Sequence, residues 1–145
     1  MKKALPLFLS LLLCTAALAQ RQKALPDSTT FRGTLYNKEF DVYMQLDLYH
    51  ANVIVPNQEI YGPLPGFFGD KQDARKWLFT KATIKSANIA EIQLINDYGS
   101  EDLTAMLMRQ NDTTFVLKQE EGSTLKIARN RKWVKLPKSL TFIKK

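Results

Sequence analysis

The sequence predicts an all-β fold, a small antiparallel up-and-down barrel of eight or nine short strands. Three observations carry that expectation. Beyond residue 30, apolar and polar residues alternate with period two, the signature of strands with one buried and one wet face. Gly, Asn and Asp recur at short intervals, where hairpins need positive φ or side-chain-capped turns. No amphipathic helix of useful length interrupts them. A meander this long must curl, because an open sheet exposes two unpaired edges. Closing it into a barrel removes both edges; a two-sheet β-sandwich is the second architecture compatible with the pattern.

The strands follow in order. Phe31 to Tyr36 is the first, with Asn37-Lys38 as the turn into the second. Residues 40 to 48 alternate most clearly: Phe40, Val42, Met44, Leu46 and Leu48 face one way, and Asp41, Tyr43, Gln45, Asp47 and Tyr49 the other. Val53 to Val55 is a third, ended by Pro56. Lys76 to Ile84 carries Trp77, Phe79 and Ile84. Ser86-Ala87-Asn88 turns the chain into Ile89 to Ile95, and the turn at 97–100 leads to Leu103 to Met108. Thr114 to Gln119 and Thr124 to Ala128 come next, separated at Glu121-Gly122. A last pair is expected around Trp133-Val134 and Leu140 to Ile143. Asp70 to Trp77 has the composition for one or two helical turns, with Asp70 as N-cap.

The first nineteen residues read as a secretory signal peptide. Lys2 and Lys3 precede a short apolar run, and Ala17-Leu18-Ala19 gives the small-x-small pattern that the processing peptidase accepts. The run is too short for a membrane span, which needs ~20 helical residues. Cys14 follows Leu13 and not a small residue, so lipid attachment there is disfavoured. Cleavage after Ala19 leaves a periplasmic or extracellular chain with no transmembrane segment and no cysteine. Its stability then cannot come from disulfides. Residues 20–29 form a polar leader, and residues 30–145 one domain. Without Lys2 and Lys3 the charge is +5 (21 − 2 = 19 basic, 14 acidic).

That charge is uneven. From Gly122 onward there are no acidic residues, whereas Lys126, Arg129, Arg131, Lys132, Lys135, Lys138, Lys144 and Lys145 are all basic. Residues 91–121 hold seven acids. Such asymmetry marks either a contact with an anionic surface or strands that present opposite charges to each other. For an anionic surface, Arg129, Arg131 and Lys132 are the candidate contacts. Pro56 to Arg75 reads as a long loop with three prolines and three glycines. Loops of this length are often functional. Its Tyr61, Phe67 and Phe68, with Trp77 beyond it, either line a ligand site at a barrel mouth or fold over one end to complete the core.

Other constellations have plainer readings. Tyr43, Tyr49, Asp41 and Asp47 share a wet strand face with His50 nearby, suited to glycan or protein contact or to ordinary cross-strand pairing. His50 is the only histidine, and no metal or cofactor is expected. Residues 96–102 concentrate oxygen ligands but lack the alternating arrangement that wraps calcium. There is no nucleophile elbow, no phosphate loop and no histidine–acid pair with informative spacing. Enzyme activity is not expected, and neither is nucleic-acid binding.

Gly33-Thr34-Leu35-Tyr36-Asn37 resembles the opening strand of avidin-type barrels, with Leu35 where those proteins carry tryptophan. The lipocalin Gly-x-Trp signature is missing, so neither family's ligand-binding residues carry over. The whole layout resembles small exported bacterial β-barrels of calycin-like plan whose role is uncharacterised. Together these features lead to a non-catalytic envelope protein that binds a small apolar ligand or a glycan. The alternative is an interaction module docking an envelope protein or anionic surface through its basic C-terminal hairpins.

Overall fold

A computed structural model describes residues 28–97 and 100–145. The signal segment, Cys14, and the leader up to residue 27 lie outside the described residues. Among the described residues twelve strands form: β1 (Arg32–Asn37), β2 (Val42–Asp47), β3 (Val53–Ile54), β4 (Pro63–Leu64), β5 (Gly66–Asp70), β6 (Asp73–Ser86), β7 (Ile89–Asn96), β8 (Asp102–Arg109), β9 (Thr114–Gly122), β10 (Lys126–Arg129), β11 (Lys132–Lys135) and β12 (Ser139–Lys144). Eight of them close into an antiparallel barrel in the order β1-β2-β5-β6-β7-β8-β9-β12. This is an up-and-down meander with two hairpins inserted, β3–β4 after β2 and β10–β11 after β9. The seam closes through Leu35 opposite Lys144 and Tyr36 opposite Ile143.

Alternation selects the interior. Val42, Met44 and Leu46 of β2 are buried, as are Ile92 and Leu94 of β7, and Leu103, Ala105 and Leu107 of β8. Phe31, Phe68, Phe79, Phe115 and Phe142 fill the centre with Leu35, and Phe31 meets Phe115 edge-on at 6.2 Å. The barrel interior is a packed core of side chains.

Each inserted hairpin adds core in a different place. β10–β11 folds over one mouth, where Leu125, Ile127 and Leu136 join the central cluster. Gln119 ties both feet of this insertion: its amide nitrogen donates to the Pro137 carbonyl, and its oxygen accepts from the Leu125 N–H. The segment around β3–β4 instead lies on the outer wall. There Val53 and Val55 pack on Phe67 and Leu78, with Tyr43, Leu64 and Ile95 around them.

Three local expectations are corrected. Pro56 to Arg75 is not one loop: it holds a 3-10 turn at Glu59–Tyr61, then β4, β5 and the start of β6. Two of its glycines serve close packing, because a Cβ on Gly66 would sit 2.4 Å from the Gln45 carbonyl oxygen and one on Gly69 would meet the Tyr43 ring. Asp70 to Trp77 is not helical. Asp70 and Asp73 pair across a tight turn at Lys71-Gln72, and the Asp70 carboxylate accepts the Gln72 N–H. Finally, β11 pairs with β10, while β12 reaches past the insertion to pair with β9 and β1.

Candidate functional site

Of the four apolar residues singled out in the sequence, only Phe68 and Trp77 come together, as cross-strand partners of β5 and β6. Phe67 and Phe68 are both about 1% exposed but belong to opposite sides of the wall, in the outer and central clusters respectively. Trp77 is buried in the central cluster. Tyr61 is exposed on the 3-10 turn. Phe67, Phe68 and Trp77 complete two cores from strands of the barrel wall and not from a loop folded over one end.

The basic residues lie close together in the chain but have different surroundings. Arg129 reaches from β10 to the end of β5 and forms a fork with Asp70, at 2.6 and 2.9 Å. The same guanidinium donates to the carbonyls of Phe40 and Ala128. The Asp70 hydrogen bond raises the Arg129 pKa further, against the opposing effect of burial. Arg129 therefore latches the plug to the rim. Arg131 sits at the tip of the β10–β11 hairpin, and Lys132 opens β11. Asn130 and Arg131 both have positive φ, 54° and 64°, as a tight primed turn requires. Glycine normally relieves the second position, so an arginine held left-handed there is an uncommon choice.

Beside that tip, the β5–β6 turn and the hairpin enclose a cleft of about 450 Å³, lined by Gln72, Asp73, Arg75, Arg131, Lys132 and Trp133 among others. Arg75 follows the inward face that Trp77 and Phe79 occupy deeper in the barrel, which brings it to the mouth. Its guanidinium carbon lies 4.8 Å from the Trp133 ring centroid. Asp73 is 3.9 Å from the Arg75 Nε. Trp133 is 51% exposed, so a large part of the indole remains open to solvent. Chemically this is a cationic wall with an aromatic platform and a few hydroxyl-matching groups.

Sequence reasoning missed Arg75, Gln72 and Asp73, which it assigned to a loop or short helix. Continuing the two-residue period from Phe79 back through Trp77 places Arg75 and Asp73 on the mouth side of the same strand. The carboxylate face of β2 is partly structural. Asp47 is buried and accepts hydrogen bonds from the N–H groups of Tyr49 and His50, while the His50 ring Nδ1 lies 2.9 Å from it. Burial raises the Asp47 pKa, but the His50 and Tyr49 hydrogen bonds outweigh it and leave the value lowered. The Tyr49 hydroxyl accepts the Phe31 N–H. In the turn after β7, the Asn96 side-chain oxygen accepts from the Ser100 and Glu101 N–H groups. Lys126 pairs with Glu101 at 2.7 Å, an instance of the acidic tract and the basic end of the chain facing each other.

The chain matches no protein-family model, no curated protein and no solved structure.

Proposed function

We propose that this protein is a non-catalytic binding module of the cell envelope that holds an acidic saccharide in the cleft between the β5–β6 turn and the β10–β11 hairpin. One observation carries the reading: the half-exposed indole of Trp133, with Arg75 over its ring and Arg131 and Lys132 in the same cleft. A sugar ring offers an apolar C–H face that an indole can cover. Its carboxylate matches the planar fork of an arginine, which binds oxyanions in bidentate fashion. Asp73, Gln72 and Asn130 supply acceptors and donors for hydroxyl groups. The carboxylate of Asp73 favours a hydroxyl-rich ligand over a phosphodiester strand, which brings few donors to meet it.

In this reading the protein is an exported barrel of calycin-like layout that works from its rim. An apolar ligand inside the barrel has less support, since phenylalanine and leucine side chains occupy the interior. The test is calorimetric titration with trigalacturonate at low salt. Binding is expected, weakening as salt rises because exposed charges are screened over about 8–10 Å at physiological ionic strength. Trp133→Ala is expected to lower affinity at least tenfold, and Arg131→Gln/Lys132→Gln to flatten the salt dependence. Equal binding of a neutral trisaccharide, or an unaffected Trp133→Ala variant, refutes the proposal. Tighter binding of single-stranded DNA refutes the saccharide class.

A further inference from the structure

Resting on the rim reading above, we infer that the ligand is a polymer: the acidic glycan continues over the β5–β6 turn into a second cleft on the outer wall. That cleft, about 510 Å³, is lined by Tyr36, Tyr43, Thr34, Gln45, Lys71 and Lys145 together with Asp70. It repeats the chemistry of the mouth cleft with different residues. The Lys145 and Lys71 ammonium groups lie 4.3 and 5.0 Å from the Tyr36 ring centroid. Tyr36 thus carries two ammonium groups over its ring, and the Thr34 hydroxyl and the Gln45 amide line the same cleft.

The two clefts adjoin. Lys71 lines the outer one and Gln72 the mouth one, and these neighbours in sequence have Cα atoms ~3.8 Å apart. The lip they form is braced from below. Asp41 accepts the Lys71 N–H on its carbonyl and the Gln72 side-chain amide on its carboxylate, at 3.1 and 3.2 Å. The Tyr36 hydroxyl donates to the same carboxylate at 2.6 Å. These hydrogen bonds, Tyr36 first and Gln72 next, lower the Asp41 pKa and keep its charge engaged. Asp70 is likewise engaged by Arg129. Asp73, the third carboxylate near the lip, is engaged as well: it accepts the Arg75 N–H at 3.3 Å and lies 3.9 Å from the Nε of that residue. Four cations, Arg131, Lys132, Lys71 and Lys145, line the two clefts together with the Arg75–Asp73 pair.

A chain long enough to occupy both clefts binds the second at high effective concentration, which raises affinity by about 10²–10⁴-fold over either cleft alone. The test compares trigalacturonate with the dodecamer of the same acid by calorimetry on the full mature chain. The dodecamer is expected to bind at least a hundredfold more tightly, well beyond the statistical gain from its greater number of registers. Lys71→Gln/Lys145→Gln is expected to abolish that advantage and leave trimer binding at the Trp133 cleft unchanged. Suppose the trimer binds but the dodecamer gains only the statistical factor, or the double lysine variant leaves dodecamer affinity intact. The continuous track is then wrong and the mouth cleft stands alone. Absence of binding by both lengths overturns the rim reading itself.

Discussion

Replacing Arg129 by methionine removes the fork on Asp70 while keeping most of the apolar stem. The Asp70 side chain is only 4% exposed and Arg129 22%, so the variant strands a carboxylate at a largely dry rim. Removing one partner of a buried ion pair costs about 3–5 kcal/mol. Asp70 keeps one donor, the Gln72 N–H at 3.0 Å, which puts the expectation near the low end, about 3 kcal/mol. For a domain of this size that lowers Tm by about 10 °C. Urea unfolding followed by tryptophan fluorescence reads the change as a shifted midpoint at constant slope. Arg129→Met/Asp70→Asn removes the stranded charge as well, and the cycle is expected to show coupling of about 1.5 kcal/mol or more. A loss below about 1 kcal/mol in Arg129→Met, or no coupling, would mean that the plug is held by its apolar residues alone and the latch is ornamental.

Other perturbations test other parts of the structure. Phe67→Ala is expected to cost about 3–5 kcal/mol, because the outer cluster beneath β3–β4 buries that ring as fully as the barrel buries its own; urea denaturation measures it. Gly66→Ala drives a methyl group into the Gln45 carbonyl and the Leu46 backbone, and a loss of about 1–3 kcal/mol is expected in thermal melts. Asp47 has a lowered pKa in the folded chain, so its contribution is complete above the unfolded carboxylate value of about 4 and is lost as pH falls through the folded one. Asp47→Asn is accordingly expected to be less stable than the parent at pH 7, with the deficit shrinking in strongly acidic buffer; a deficit independent of pH contradicts that assignment.

Much of the barrel was legible because one wall face is oily and the other wet. Residues 42–46 and 103–107 show it, and both strands fall where their alternation places them. The pattern fails at β5, where all five residues are buried because the β3–β4 segment covers the outer face. With both sides dry, Phe67 and Phe68 have no reason to alternate, and the neighbouring glycines and prolines read as loop. The candidate site was half legible. Arg131, Lys132 and Trp133 stand out as a charged stretch with an aromatic residue, but their companions Arg75 and Gln72 come from a turn far away in sequence. Arg129 illustrates the same limit from the other side. Nothing local distinguishes it from its basic neighbours, and only Asp70, 59 positions away, makes it a structural residue.

The narrow seam between β1 and β12 governs how such a chain must mature. Asn37 finds the Thr141 carbonyl across 104 residues, so closing the ring is the most entropically demanding step in its assembly. Until β12 emerges from the ribosome, the remaining strands form an unfinished ribbon with two open sides. Each side is a template for a neighbouring chain. A truncation that deletes only the final strand therefore does more than trim one element: it turns a self-contained ring into a polymerisable sheet.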